Sequence, residues 1–313
     1  MFQTFEDTSD PSRGKTRVAQ LRKALRARKL AAFLVPRADE HQNEYVPACA
    51  ERLSWLTGFT GSAGLAIVAR ESAALFVDGR YSLQAPGQVD TRIFEILQVP
   101  QNKTSGWIRA HLKNGDALGY DPRLHSINSI QRMEKEVREA GAVLAPQEYN
   151  PVDAIWKDRP APPNAPLALH PREFSGETAS RKIARVRKAL RKNKATAVIL
   201  TMPESIAWLA NIRGRDVPHT PLALCFAILP AKGQLELFIA PKKLTPNVRK
   251  VLKQDAALRK PDELPAALAA LGKAGSRVLL DPETASRWFA DRLNEAGAQI
   301  LHGADPCLGL KAK

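Results

Sequence analysis

Arg80, in Asp78-Gly79-Arg80-Tyr81, is a side chain of this sequence that could hold a carbonyl or carboxylate oxygen. A guanidinium offers several donors in a fixed plane, which suits both acceptors. The same four residues allow a structural reading, in which Arg80 pairs with Asp78 or with a carbonyl at the strand end. Metal chemistry finds no comparable foothold. The histidines His41, His111, His125, His170, His219 and His302 are scattered without metal-ligand spacing to a neighbouring acid, so no metal site is expected in this chain. Gly58, Gly61 and Gly64 are spaced by three and enter a strand, whereas a dinucleotide fingerprint needs Gly-x-Gly-x-x-Gly between a strand and a helix. Cys49, Cys225 and Cys307 are odd in number and lack any Cys-x-x-Cys pair. They read as reduced thiols of a cytoplasmic protein.

The elements that carry these residues occur twice. Ser54-Trp55-Leu56 leads to Gly61, and Ala207-Trp208-Leu209 leads to Gly214, so Trp, Leu and a later Gly recur in register. Ahead of each unit lies a Lys/Arg-rich amphipathic segment with apolar residues three and four apart: Val18, Leu21 and Leu25, then Ile183, Val186 and Leu190. Both segments contain Arg-Lys-Ala-Leu, at Arg22–Leu25 and Arg187–Leu190, and both feed an apolar run, at 31–35 and 197–200. After each Trp come two strand-like runs, 65–68 with 74–77 and 226–229 with 235–239. The first copy carries an insertion between its first strand and its Trp, in the region 39–52.

The later elements continue an α/β pattern. The first half predicts a helix over 104–113, a strand over 117–120, a helix over 126–140 with Ser126 or Ser129 as N-cap, and a strand at 143–144. The second predicts helices over 246–254, 261–271 and 282–296, with strands at 277–280 and 299–301. Hairpins combined with helical crossovers imply a mixed sheet flanked by helices in each half. Arg159-Pro160-Ala161-Pro162-Pro163-Asn164-Ala165-Pro166 cannot propagate a helix or a central strand. It sets domains of 1–160 and 165–313, with 161–164 in the linker.

At 313 residues each domain is long enough to bury a core of its own. The N-terminus has no apolar leader, and no stretch approaches a membrane span, so a soluble, cytoplasmic protein is expected. The net charge of +15 invites a polyanion partner, but aromatics make up 6% of the residues and do not interleave with the basic ones. The Lys and Arg residues fall mainly on the polar faces of helices expected at 17–29, 181–194 and 242–260. They are read as solvated, and nucleic acid is not the expected partner.

Five motifs together resemble the N-terminal half of three-domain Xaa-Pro aminopeptidases. They are Asp39-Glu40-His41-Gln42-Asn43-Glu44-Tyr45-Val46; Gly58-Phe59-Thr60-Gly61-Ser62-Ala63-Gly64 with Asp78-Gly79-Arg80-Tyr81; Asn150-Pro151-Val152-Asp153-Ala154-Ile155-Trp156; Ile206-Ala207-Trp208-Leu209 with Asn211-Ile212-Arg213-Gly214; and Asp216-Val217-Pro218-His219-Thr220-Pro221. The resemblance covers essentially the whole chain. It implies two tandem creatinase-like domains with ribonuclease-H-like mixed sheets.

The resemblance also implies a third, catalytic domain, in which two Asp, one His and two Glu bind a pair of metal ions, usually manganese. That domain is expected to follow Lys313. Its substrate would be a peptide with proline at the second position, and the complete enzyme would be a homodimer. Within this chain Arg80 matches a substrate-binding arginine of the family. His41 is either a polar wall of the same cleft or a locally bonded loop histidine. Tyr81 and Tyr45 either line the pocket or pack at strand ends. Trp55 and Trp208 recur in both copies and are expected in cores, and His219 is read as structural. The alternative is a free-standing, non-catalytic creatinase-fold module that binds a peptide or protein. A creatinase-type amidinohydrolase fits the duplicated pair less well.

Overall fold

The computed structural model describes residues 9–311, which fold into two compact units. One contains the chain up to Ala38, Ala48–Pro122 and Ile130–Ala161; the other contains Asp39–Pro47, Arg123–Ser129 and the chain from Pro162 onward. Most of the insertion seen in the sequence, residues 39–47, is thus counted with the second unit.

The first unit is built on six strands: β1 (Ala32–Pro36), β2 (Gly64–Ala69), β3 (Ala73–Asp78), β4 (Glu95–Val99), β5 (Ala117–Tyr120) and β6 (Val143–Pro146). They form one mixed sheet in the order β4-β3-β2-β1-β5-β6. The β1·β2 and β2·β3 pairs are antiparallel; β3·β4, β1·β5 and β5·β6 are parallel. Side chains alternate between the two faces of the sheet, and both faces are covered. Phe33, Val35, Ala66, Val68, Leu75 and Val77 pack with Val18, Leu21 and Leu25 of the helix Gly14–Ala27. Leu34, Ile67, Ala74 and Phe76 pack on the other face with Trp107, Ile108, Ile130 and Val137.

The second unit repeats this plan. Its strands are β7 (Ala168–Leu169), β8 (Ala197–Leu200), β9 (Ile212–Arg213), β10 (Phe226–Pro230), β11 (Leu235–Phe238), β12 (Ala256–Arg259), β13 (Arg277–Leu280) and β14 (Gln299–His302). The main sheet runs β12-β11-β10-β8-β13-β14, with the same succession of parallel and antiparallel pairs, while β7 and β9 form a small separate ladder. Ile183, Val186 and Leu190 of the helix Ala179–Lys192 cover one face; Leu264, Leu268, Trp288, Phe289 and Leu293 cover the other.

Three local expectations change. The edge strands β4 and β12 were not anticipated: in β4, Glu95 and Gln98 break up the apolar pattern, and β12 lies within the basic stretch read as a helix. The basic stretch 242–260 is not one helix. It divides into the turn Pro241–Lys243, the helix Pro246–Leu252 and β12, and Lys243 is buried in an ion pair with Asp216. The helix expected from 282 begins at Arg287, because Asp281 first closes a turn by accepting from the backbone N–H groups of Glu283 and Ala285. Between the two serines, Ser126 is the cap: its hydroxyl accepts from the Ser129 N–H at 3.2 Å ahead of the helix Ile127–Glu139.

The repeated tryptophans share a local environment that composition does not reveal. Trp55 lies in the last turn of the short helix Arg52–Thr57, and Arg17 both bonds its carbonyl and stands 4.6 Å over its ring. Trp208 lies in the last turn of Pro203–Ala210, and Lys182 bonds its carbonyl at 3.0 Å and stands 5.0 Å from its ring centre. Each cation satisfies a carbonyl that the helix end leaves open and meets the negative end of the helix dipole. Both rings are only half-buried. Burial holds Arg17 and Lys182 below their usual pKa ranges, so these two are not solvated surface cations.

Lys182 also donates to the Asn211 side chain at 2.5 Å, and Asn211 ends its helix in the left-handed conformation. Lys182→Met keeps the stem and removes both bonds. It is expected to lower the urea-unfolding free energy by about 2 kcal/mol, whereas Lys188→Met on the exposed face of the same helix changes it by less than about 0.5 kcal/mol. Equal effects would remove the special role of Lys182.

His125 is buried in the second unit, and burial pushes its pKa down to about 4 from 6.5. The fold therefore favours neutral imidazole, and between those two values the unfolded chain binds more protons. This contribution to stability is complete above pH 6.5 and is lost as pH falls towards 4, to a total of about 3 kcal/mol. Urea titrations from pH 7 to 4 should show that extra loss in the wild type relative to His125→Asn; parallel curves would refute it.

Candidate functional site

The end of β3 supplies the best-defined exposed cluster of polar groups named by the sequence. Asp78 caps the turn Gly79–Tyr81 by accepting from the Arg80 backbone N–H at 2.9 Å. The Arg80 guanidinium folds back on the same carboxylate, with Nε 3.0 and 3.1 Å from its two oxygens and Nη2 2.6 Å from Oδ2. These bonds hold Asp78 below the usual carboxylate range, so it remains an anion. The Arg80 side chain is nevertheless 67% exposed. An exposed pair of this kind contributes little to stability, so an incoming carboxylate or carbonyl can compete for the fork.

Tyr81 fixes the neighbouring turn. Its hydroxyl accepts from the Ser62 N–H at 3.0 Å and lies 2.6 Å from the Ser62 hydroxyl, and its ring meets Phe59 edge-on with centroids 5.2 Å apart. Gln88, buried on the other side of the turn, accepts from the Thr60 N–H at 3.0 Å and donates to the Thr60 hydroxyl at 2.9 Å. The N–H groups of Thr60 and Ser62 are therefore occupied by side chains. The Gly58–Gly64 segment positions Tyr81, and the Arg80 guanidinium lies 5.2 Å over the Tyr81 ring. Gln88 did not stand out in the sequence, where an isolated amide in a turn-rich stretch carries no periodic signal, and Ser62 was named only as a member of the glycine-rich motif.

His41 belongs to the second unit. It is buried there, stacked on Phe226 at 4.2 Å, with Nδ1 3.1 Å from the Thr201 carbonyl. A carbonyl only accepts, so Nδ1 carries the proton. Asp39 holds the loop around it by accepting from the backbone N–H groups of His41 and Asn43, each at 3.0 Å. Tyr45 is exposed in the same unit and meets His219 edge-on. Arg80 and Tyr81 thus form one local cluster, while His41 is packed into a different hydrophobic setting.

Among the described residues no group of three or more His, Cys, Asp or Glu gathers in a way that could hold a metal ion. A pair of metals, which requires several convergent carboxylates, does not fit them. The three cysteines are buried and free of disulfides. Burial pushes the Cys225 thiol up to about 12 and raises Cys307 as well, with the Asp305 carboxylate adding to the effect, so neither is a ready nucleophile. No helix among the described residues is long and apolar enough to cross a membrane.

Sequence profiles of the creatinase/prolidase N-terminal domain match residues 17–155 and 158–313. A protein of Aspergillus fumigatus named "Probable Xaa-Pro aminopeptidase P" is 38% identical over 280 residues, covering 87% of this chain and 42% of its own length. A protein of the same name from Aspergillus niger is 34% identical over 271 residues, covering 86% and 44%. The crystal structure of an X-prolyl aminopeptidase from Caenorhabditis elegans, described as a cytosolic enzyme with a di-nuclear active site, superposes with a TM-score of 0.87. It shares 26% identity and covers 94% of this chain and 50% of that protein. The chain thus spans less than half the length of the two Aspergillus relatives.

Proposed function

Because this chain belongs to the creatinase/prolidase N-terminal domain family and carries two such domains in tandem, we propose that it forms the leading part of a metal-dependent Xaa-Pro aminopeptidase. Such an enzyme releases the residue that precedes a proline at the second position of a peptide. In this reading the metal pair, manganese by the family resemblance, and the hydrolytic step are supplied by polypeptide outside these 313 residues. The domains present here contribute a wall of the substrate pocket and contacts within a cytoplasmic homodimer.

The observation that carries the substrate role is the exposed Arg80 guanidinium on a turn fixed from both sides. Arg80 would exchange part of its bonding to Asp78 for a carbonyl or carboxylate of the peptide, holding the chain away from the scissile bond. Tyr81 positions that turn, with the Arg80 guanidinium over its ring. His41, locked between Phe226 and Thr201, is better suited to supporting its loop than to touching substrate. A peptide- or protein-binding module without catalysis is the competing reading.

In the complete enzyme, Arg80→Ala is expected to lower kcat/KM on an Xaa-Pro peptide at least about tenfold, with metal content and melting temperature unchanged and with partial recovery in Arg80→Lys. Unchanged kcat/KM would return Arg80 to a structural role beside Asp78. The 313-residue chain by itself is expected to show no turnover with added manganese. Turnover would place the hydrolytic centre within it.

A further inference from the structure

The second unit has a concavity of about 590 Å³ around the loop that follows β9. Arg213, Arg215, His219 and Thr220 line it together with the apolar Pro166 and Val217, and no carboxylate is among its lining residues. Arg213 is held in place by its own backbone surroundings, donating from Nη1 to the Ile212 carbonyl at 2.8 Å and the Ala207 carbonyl at 3.4 Å. Arg215 is exposed and has no hydrogen bond or ion pair among the described residues. Burial first, and then the charges of Arg213 and Lys182, hold the nearby His170 below its usual range.

The loop is a rigid frame. Asp216, buried in its ion pair with Lys243, also accepts from the Leu224 N–H at 2.7 Å. Gly214 lies against the chain that returns from the loop: a Cβ there would fall 2.6 Å from the Leu222 carbonyl oxygen and 2.6 Å from the Ala223 nitrogen. The Gly214 N–H reaches the Pro221 carbonyl at 3.1 Å, and Val217 bridges to Thr220. Between those two residues the chain turns through Pro218 and His219, and His219 has a φ of 60°. Proline at the second position of a tight turn and a positive φ at the third are the pattern of a type II turn, whose third position favours glycine. A histidine is held there instead, exposed at the rim of the concavity and edge-on to Tyr45 at 6.2 Å.

We propose that this concavity binds a small oxyanion, a carboxylate or a phosphate. Arg215 supplies the open guanidinium, Arg213 a second fixed charge, and His219 and Thr220 hydrogen-bond donors at the rim. Two guanidinium groups without a competing carboxylate favour an anion with several oxygens, and the fixed backbone of the loop lowers the cost of ordering the site on binding. The inference does not depend on the aminopeptidase reading, because it concerns binding by this chain alone.

Calorimetric titration of the 313-residue chain with inorganic phosphate and, separately, with glutarate tests it, in low-salt buffer with matched sodium chloride controls. The expected result is one saturable site for at least one of the two, and the anion that saturates first identifies the source. Arg215→Gln should weaken that binding at least about tenfold, while Lys250→Gln, an exposed charge outside the concavity, leaves it unchanged. His219→Gly should weaken binding without lowering the melting temperature, since glycine relieves the positive φ; this separates loss of a donor from loss of the fold. No saturable binding up to roughly 20 mM of either anion, or equal weakening by Arg215→Gln and Lys250→Gln, would overturn the proposal.

Discussion

In both units a cation from the basic helix closes the end of the short helix that carries the repeated tryptophan. Arg17 does this at the Trp55 carbonyl and Lys182 at the Trp208 carbonyl, each with the indole ring beneath it. The ends fixed in this way are where the two functional candidates begin. Beyond Thr57 the chain enters the glycine-rich turn that positions Tyr81 and, through it, Arg80. Beyond Ala210 it passes through left-handed Asn211 into β9 and the loop that holds Arg215 and His219. Without a cation at each helix end, a carbonyl of the last turn would lack its partner and both loops would lose their common origin.

The duplication was legible because apolar spacing and the Trp unit survive in both copies. Its topological counterpart is the matched strand order of the two main sheets. The strands with alternating, fully covered side chains could be read from sequence. The edge strands β4 and β12 could not, since one is interrupted by polar residues and the other lies in a basic stretch that reads as a helix. Charge was the least informative signal. Arg17, Lys182 and Lys243 lie in runs of solvated cations and look the same in sequence, yet each points inward to a carbonyl or a carboxylate.

The candidate site was legible to a similar degree. Asp78-Gly79-Arg80-Tyr81 reads as a strand end followed by a turn, and the structure adds the fold-back of Arg80 onto Asp78 and the anchoring of Tyr81 by Ser62. Adjacency in sequence made the first visible; the second spans nineteen residues of chain. His41 is the converse case. In sequence it reads as either a cleft wall or a locally bonded loop histidine, but its ring packs on Phe226 and bonds Thr201, residues far along the chain that no local pattern could have named.

In the proposed reading the two domains supply structure and one candidate substrate contact, and hydrolysis falls to other polypeptide. The most direct test is the intact mass of the natural protein, captured from its source cells with an antibody to this chain and mapped by peptide mass spectrometry. The account predicts a polypeptide well above 34.4 kDa, with peptides that continue past Lys313 into a segment bearing Asp, His and Glu metal ligands. A species of 34.4 kDa that ends at Lys313 would contradict it and leave a binding module in its place.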